Sequence, residues 1–164
     1  MNQTIKKPVY LVFSVFICLL AGAAGSLVTI TGPGSWYEVE LVKPWFTPPG
    51  FVFPVVWTTL YILMGISLYL LLTVGRGSRK ANLAVLFFGI QLVANALWSF
   101  LFFGLKNPLY GLIDIVLLWI LILATIYYAY SVSKTAAYLL VPYIIWVSIA
   151  SVLNFSIALL NGFI

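Results

Sequence analysis

Five long apolar stretches constrain this chain more than any other feature, because all but one of its charged residues lie outside them. A helix that crosses a bilayer needs about 20 predominantly apolar residues. Each stretch reaches that length, so we predict five transmembrane helices. Their approximate bounds are residues 9–30, 51–74, 82–103, 108–130 and 135–160.

The composition supports a membrane location for the whole chain. Only 7% of the 164 residues are charged, whereas soluble domains carry about 25% charged residues. We therefore predict an all-α membrane protein, with five transmembrane helices in one antiparallel bundle that forms a single domain over residues 1–164. Lys6 and Lys7 precede the first stretch, but that stretch is too long for the apolar core of a signal peptide.

The loop between the first and second helices is long, aromatic and rich in proline. From Trp36 to Tyr61 the chain holds three Trp, two Tyr, three Phe and four Pro. The prolines prevent one continuous helix and stiffen the segment. We predict a rigid lid that rests against protein, lipid or a flat ligand.

The distribution of Lys and Arg predicts the orientation in the membrane. Five spans place the termini on opposite sides, and the N-terminal side then carries six cations, which are Lys6, Lys7, Arg76, Arg79, Lys80 and Lys134. The other side carries only Lys43 and Lys106, together with Glu38 and Glu40. By the positive-inside rule we expect the N-terminus inside, the C-terminus and the aromatic loop outside, and residence in the cytoplasmic membrane.

Several classes of function lack the residues that they need. The chain has no His, one Cys (Cys18) and three acidic residues, so we expect no metal site and no resident cofactor. A catalytic Ser would need Lys as its base, and the lysines lie outside the spans. The eight basic residues are scattered, so we expect no nucleic-acid partner.

Three of the predicted helices carry a face on which aromatic, amide and small residues recur every four positions. Polar side chains at membrane depth are costly unless they face the bundle interior or a cavity. The faces consist of Trp57, Tyr61 and Gly65; of Gln91, Asn95 and Ser99 with Trp98; and of Trp146, Ala150 and Asn154. Such amides also bond neighbouring helices, and Trp near span ends also lies at the membrane interface, so packing and ligand contact both remain open.

Asp114 is the only acidic residue inside a predicted span. Carboxyl groups within the membrane are candidates for function by default. A hydrogen bond to a backbone or Trp N–H near the headgroups is an equally good reading.

Three further positions predict local geometry. Pro142 should interrupt the fifth helix, and Gly104 should close the third as the residue after its end. The small residues around Gly22 and Gly25 permit close helix contact, either within the subunit or across a dimer.

These residues resemble the pattern of the tryptophan-rich sensory protein or translocator protein family, also called the peripheral benzodiazepine receptor group. The likeness covers nearly the whole chain, in the right order and spacing. No charged tail like that of animal members follows the fifth helix, so we expect a microbial member. The matching features are Trp36-Tyr37, Lys43-Pro44, Pro48-Pro49, Trp57, Leu60-Tyr61, the segment Gln91–Gly104, Asp114 and the segment Val132–Asn154.

The resemblance implies a five-helix bundle, often a homodimer, with a pocket beneath the first loop. Members of the family bind porphyrins such as protoporphyrin IX, and many bind benzodiazepine-type drugs and sterols. In some bacterial members two tryptophans, which correspond to Trp57 and Trp146, support light-dependent porphyrin degradation. The predicted ligand-binding residues are Tyr37, Trp57, Tyr61, Asn95, Trp98, Asp114, Trp146, Ala150 and Asn154.

One departure from the family concerns sterols. Phe155 stands where the sterol-recognition segment of animal members has Tyr, and no Lys or Arg follows Lys134. Sterol transport is therefore not expected, although such motifs are weak signals. The leading hypothesis is a membrane receptor for porphyrins. A small transporter of porphyrin or other hydrophobic cargo, with Asp114 as its proton relay, and a non-catalytic regulatory scaffold are the alternatives.

Overall fold

The computed structural model describes residues 3–75 and 77–164, and it describes side chains from residue 8 onward within those ranges. Three of the six cations on which the predicted orientation rests fall outside this description. They are Arg76 and the side chains of Lys6 and Lys7. The orientation accordingly stays a prediction.

The described residues form α-helices and one π-helical turn, with no strand among them. Five helical segments of the described chain are long and apolar enough to cross a membrane. This confirms the predicted all-α fold of an integral multi-pass membrane protein. The elements are α1 (Gln3–Ser26), α2 (Trp36–Val39), α3 (Val52–Val74), α4 (Arg79–Ser99), the π-helical turn (Phe100–Gly104), α5 (Pro108–Tyr130), α6 (Lys134–Leu139) and α7 (Val141–Leu160).

The start of α5 shows how the sequence sets a helix boundary. The Asn107 side-chain oxygen accepts hydrogen bonds from the backbone N–H groups of Leu109 (3.0 Å) and Tyr110 (3.1 Å). Pro108 occupies the first helical position, where its missing N–H costs nothing and its fixed φ favours the helix. Asn107 and Pro108 thus fix the start of α5.

Two spans are interrupted. The fifth is broken at Leu140 between α6 and α7, because Pro142 has no N–H with which to continue the ladder of hydrogen bonds. This break was expected. The third ends in the π-helical turn, in which the Leu105 N–H donates to the Phe100 carbonyl at 2.8 Å. The role predicted for Gly104 is wrong, since it lies within that turn and the backbone turns left-handed at Lys106 (φ 51°).

The helices form a ring. α1 packs against α3 and α4, α4 packs against α5, and α5 packs against α6 and α7. α3 closes the ring through α6, where the Ser67 hydroxyl donates to the Ala136 carbonyl at 2.8 Å. Over the described residues α3 and α7 have no extensive backbone packing. Aromatic side chains bridge the space between them.

The small residues of α1 pack within the subunit. Gly22 lies against the ring of Tyr61, and a Cβ placed on Gly25 would lie 3.0 Å from the Ser99 hydroxyl. On the facing helix, a Cβ on Gly65 would lie 2.5 Å from the Cα of Val15. Of the two alternatives that the sequence left open for Gly22 and Gly25, the structure shows close contact with α3 and α4.

Residues 27–51, which we call the connector, lie over one end of the bundle. Leu41 is buried and packs with Phe102, Leu153 and Ile157. Trp45, by contrast, is 95% exposed. The connector therefore rests on protein through Trp36, Tyr37 and Leu41, and we call the end that it covers the connector end.

Candidate ligand-binding site

The first group of site residues lies directly under the connector. The π-helical turn brings Phe102 and Phe103 against α2, where Tyr37 lies 5.5 Å from Phe103 and Trp36 lies 5.9 Å from Phe102 between ring centroids. Trp98 stacks on Phe102 at 5.1 Å. We call these five residues the connector cluster. Of the predicted ligand contacts, it contains Tyr37 and Trp98.

Asn154 joins the connector cluster to two further helices. Its oxygen accepts a hydrogen bond from the Trp98 indole N–H at 3.0 Å, and its amide nitrogen donates to the Pro108 carbonyl at 2.8 Å. Gly111 permits this approach, because a Cβ there would lie 3.0 Å from the Asn154 oxygen. In this structure both polar atoms of the Asn154 amide are therefore bound by protein.

A network of hydroxyl and amide groups lies deeper in the bundle. The Tyr61 hydroxyl donates to the Asn95 oxygen at 2.5 Å, and the Asn95 amide nitrogen donates to the Tyr143 hydroxyl at 3.0 Å. The Tyr143 hydroxyl in turn donates to the Gln91 oxygen at 2.8 Å. All four side chains are buried. Since polar groups in the membrane interior must be satisfied by protein, this network accounts for most of the amide face predicted on the third helix.

Five aromatic residues bridge α3 and α7. Phe53 meets Trp146 edge to face at 5.9 Å, and one turn deeper Trp57 meets Tyr143 at 6.1 Å. Trp57 also stacks on Tyr61 at 5.5 Å. We call these residues, Phe53, Trp57, Tyr61, Tyr143 and Trp146, the aromatic ladder. It fills the space between two helices that have no extensive backbone packing.

Two buried polar atoms of the predicted site have no hydrogen-bond partner. Among the described residues such atoms are Ser14 Oγ, Gln91 Nε2, Asp114 Oδ2 and Trp146 Nε1. An unsatisfied buried donor or acceptor costs about 1–3 kcal/mol, so each needs an explanation. Asp114 on α5 is 5% exposed, and Trp146 on α7 belongs to the aromatic ladder. The alternative role for Asp114, a hydrogen bond to a backbone or Trp N–H near the headgroups, is not made by its Oδ2 and stays a prediction.

Seven of the nine predicted residues thus fall into two neighbouring groups in the connector half of the bundle. Asn95 and Trp98 are one turn apart on α4 and link the hydroxyl–amide network to the connector cluster. Ala150, half-buried on α7, lies between Trp146 and Asn154 in the sequence of that helix.

Sequence reasoning missed two members of this site. Phe53 precedes Trp57 by one turn of α3, and Tyr143 precedes Trp146 by nearly one turn of α7. The helical spacing that singled out Trp57 and Trp146 could therefore have found both. What the spacing does not contain is the pairing of these two faces across the bundle.

Ring-to-ring contacts occupy the aromatic ladder and the connector cluster. Within the described residues, a cavity of about 490 Å³ lies at the opposite end of the bundle, where it is lined by residues that include Tyr10, Leu71, Gly75 and Asn82. A ligand that occupies the predicted site must therefore part the rings of the aromatic ladder or the connector cluster.

One ion pair lies beside Tyr37. The Lys43 ammonium is 2.6 Å from a Glu38 carboxylate oxygen and 4.9 Å from the centroid of the Tyr37 ring. The Lys43 side chain is 23% exposed and that of Glu38 is 52% exposed. Burial, and secondarily the charge of Glu38, raise the pKa of Tyr37 above its ordinary value. Tyr37 is therefore neutral at physiological pH, and Lys43 is the cation of this region.

Comparison with known proteins finds relatives along nearly the whole chain. The profile of the TspO/MBR family matches residues 14–160. The chain is 49% identical over 156 residues to "Tryptophan-rich protein TspO" of Chlorobaculum tepidum, covering 95% of this chain and 98% of that protein. It is 47% identical over 152 residues to the protein of the same name from Archaeoglobus fulgidus, covering 93% and 97%. It is 34% identical over 129 residues to the "Translocator protein" of Homo sapiens, covering 78% and 76%.

Proposed function

The chain belongs to the TspO/MBR family, and from that premise we propose that it is a membrane receptor that binds porphyrins, with protoporphyrin IX as the first ligand to test. The ligand enters the connector half of the bundle. There it contacts Trp57, Tyr61, Tyr143 and Trp146. The family membership limits the class of function, and the geometry below supports the choice of ligand.

The aromatic ladder is the observation that carries this proposal. α3 and α7 meet mainly through ring contacts, so the space between them can widen with little loss of backbone packing. Aromatic side chains favour offset-stacked and edge-to-face contacts with other π-systems. A flat macrocycle inserted between the two helices would exchange ring–ring contacts for ring–macrocycle contacts of the same kind.

Two buried groups without hydrogen-bond partners also support the binding of a ligand in this site. Trp146 carries a buried N–H without an acceptor, and Asp114 carries a buried oxygen without a donor. Binding sites for small molecules are mostly apolar with a few polar groups that fix orientation. A ligand with both apolar faces and polar edges would relieve the cost of these two groups.

Lys43 supplies a charge that suits the propionate groups of a porphyrin. It lies at the connector end beside Tyr37, where it already pairs with the half-exposed Glu38. An exposed ion pair of this kind contributes little stability, typically about 0–1 kcal/mol. Exchange of Glu38 for a ligand carboxylate therefore costs little.

The proposal extends to light-dependent degradation of the bound porphyrin. In that reaction an indole donates one electron to the light-excited macrocycle, which leaves an indole radical cation and a porphyrin radical anion. Dioxygen then adds to the reduced ring, and the oxygenated ring returns one electron to the indole, so that the net change is addition of dioxygen to the porphyrin. We assign the electron donors as Trp57 and Trp146. Both belong to the aromatic ladder against which the macrocycle would lie.

The test is a titration of purified protein with protoporphyrin IX, followed by Trp fluorescence. We expect saturable quenching at micromolar ligand, and weaker quenching in Trp57→Phe and Trp146→Phe. The matched control is Trp45→Phe, because that indole is 95% exposed and makes its ring contact with Phe46 on the connector. Its removal should leave the affinity unchanged.

Three results would count against this proposal. Absence of quenching in the native chain would overturn porphyrin binding. Binding with a bleaching rate that both Trp variants leave unchanged would show ordinary photo-oxidation and would remove the degradation step. Net porphyrin flux into liposomes that Asp114→Ala abolishes would instead favour a transporter.

We further propose a membrane orientation and an oligomeric state. The chain lies in the cytoplasmic membrane with its N-terminus inside and the connector outside, because of the unequal distribution of Lys and Arg. It forms a homodimer, as the family resemblance implies. Gly22 and Gly25 are already occupied by contacts within the subunit, so the dimer must use another surface.

A further inference from the structure

The Asn161 side chain binds both polar backbone groups of one connector residue. The Val42 N–H donates to the Asn161 oxygen at 2.9 Å, and the Asn161 amide nitrogen donates to the Val42 carbonyl at 2.9 Å. The two residues are 119 positions apart. This pair of bonds imitates the exchange of N–H and C=O groups between neighbouring antiparallel strands. A single amide thus joins the connector to the end of the fifth span.

Asn161 is itself held in place by the end of α7. Its amide nitrogen also donates to the Ile157 carbonyl at 2.8 Å, and its own N–H donates to the same carbonyl. Gly162 follows with φ of +71°, and the Phe163 N–H donates to the Ala158 carbonyl at 2.9 Å. This is the hydrogen-bond pattern of a Schellman motif. Asn161 therefore has a defined orientation at the end of α7, and from there it holds the connector.

The attachment of the connector to α7 is concentrated at one place. Leu41, next to Val42, is 7% exposed and packs with Leu153 and Ile157 of α7. Trp45, three residues beyond Val42, is 95% exposed. Upstream, Trp36 packs on Phe102 at the end of the third span. The connector therefore crosses the connector end of the bundle from the π-helical turn to α7, and it covers the site that lies between them.

We propose that Asn161 is a positioning residue whose amide latches the connector at Val42 and so controls the rate at which a ligand reaches the connector cluster and the aromatic ladder. This inference rests on the proposed function, since it concerns access to that same site. While the latch is closed, the connector blocks the connector end. Release of the two hydrogen bonds frees Leu41 to leave its apolar contacts and opens a path from the aqueous face.

The latch predicts a specific kinetic result. If the connector must open before a ligand enters or leaves, loss of the latch raises the association and dissociation rate constants together. Two hydrogen bonds of ordinary strength correspond to an increase of about tenfold in each constant. A residue that only supports the fold would instead lower affinity without faster association. A ligand that enters sideways from the lipid, between α3 and α7, would be insensitive to the latch.

The experiment compares Asn161→Ala with two other variants in stopped-flow measurements of protoporphyrin IX quenching. Asn161→Asp keeps the acceptor for the Val42 N–H but loses the donor to its carbonyl, so we expect rate constants between those of the native chain and of Asn161→Ala. Asn82→Ala, an exposed Asn on α4 at the opposite end of the bundle, is the matched control and should match the native rates. Hydrogen–deuterium exchange at the Val42 amide, measured without ligand, should rise in Asn161→Ala and stay unchanged in Asn82→Ala.

The outcomes separate the latch from the proposed function. Unchanged association rates in Asn161→Ala, or unchanged exchange at Val42, would overturn the latch even if porphyrin binds tightly. Absence of quenching in the native chain would overturn porphyrin binding, and the Val42 exchange would then decide the latch alone. If Asn161→Ala loses helical content, Asn161→Asp becomes the variant that tests the latch, because it keeps the size and the Schellman geometry of the residue.

Discussion

Asn154 connects three helices through one side chain, because its amide accepts from Trp98 on α4 and donates to the first carbonyl of α5. A hydrogen bond between buried polar groups contributes little net stability. Removal of one partner destabilises the protein much more, because the other partner is left buried and unsatisfied. The predicted role of Asn154 as a ligand contact stays a prediction. Its structural role does not depend on a ligand.

At the same scale, Asn154→Ala should destabilise the protein by about 2 kcal/mol, because it leaves the Trp98 N–H and the Pro108 carbonyl without partners. The measurement is thermal unfolding in detergent, followed by helical circular dichroism. Asn82→Ala serves as the reference, since its exposed side chain lies far from this contact. Equal melting temperatures for the two variants would show that the interior hydrogen bonds of Asn154 contribute nothing to stability.

At the scale of helices, close approach sets the geometry of the bundle. α1 reaches α3 because Gly65 has no side chain to keep Val15 away, and it reaches α4 at Gly25. Without water in the bilayer core, helices associate through such packing rather than through the hydrophobic effect. The ring of helices depends on these contacts, since α1 holds α3 and α4 together.

The prediction at this scale compares two glycines in neighbouring helices. Gly65→Ala should destabilise the α1–α3 pair by roughly 2 kcal/mol or more, because the added Cβ meets backbone that cannot move aside. Gly89→Ala on α4 has no atom within 4 Å of the added Cβ. It should be neutral or stabilising by up to about 1 kcal/mol, through the higher helix propensity of Ala. Unfolding in detergent measures both, and a reversed order would refute the packing argument.

At the scale of the whole molecule, the two ends of the bundle differ in chemistry. The connector end has aromatic rings, the Lys43–Glu38 pair and the Asn161 latch. The opposite end has Ser-capped helix starts at Ser78 and Ser133, followed by Arg79, Lys80 and Lys134. The orientation that we propose from the positive-inside rule rests on this asymmetry.

Cysteine labelling checks that orientation. In a Cys18→Ser background, Trp45→Cys should react with a membrane-impermeant thiol reagent added to intact cells, because residue 45 is exposed on the connector. Ser131→Cys, in the turn after α5 at the opposite end, should react only after the membrane is permeabilised. The reverse pattern would place the connector inside.

Much of the fold was predictable because its causes are local. The length of each apolar stretch predicts a span whatever its neighbours are, and Asn107-Pro108 and Pro142 act within one turn of the backbone. The π-helical turn was not predictable. It places Phe102 and Phe103 against Trp36 and Tyr37, and that packing exists only when α2 is already in position.

The candidate site likewise contains residues that were predictable from the sequence and residues that were not. Helical spacing identified the amide and Trp faces of three helices, because the period of a helix is known in advance. Tyr143 and Asn161 escaped that reasoning, since each matters through a partner that is distant in sequence. Tyr143 binds Asn95 across 48 positions, and Asn161 binds Val42 across 119.

The break at Pro142 allows α7 to rotate about Leu140 relative to α6. α6 packs against α3 and α5, while α7 extends from Leu140 over 20 residues, a length of about 30 Å. A rotation of only about 5° about Leu140 would displace the far end of α7 by about 2.6 Å, nearly the length of a hydrogen bond. Asn161 lies at that far end, so a small angular change deep in the membrane is sufficient to part it from Val42.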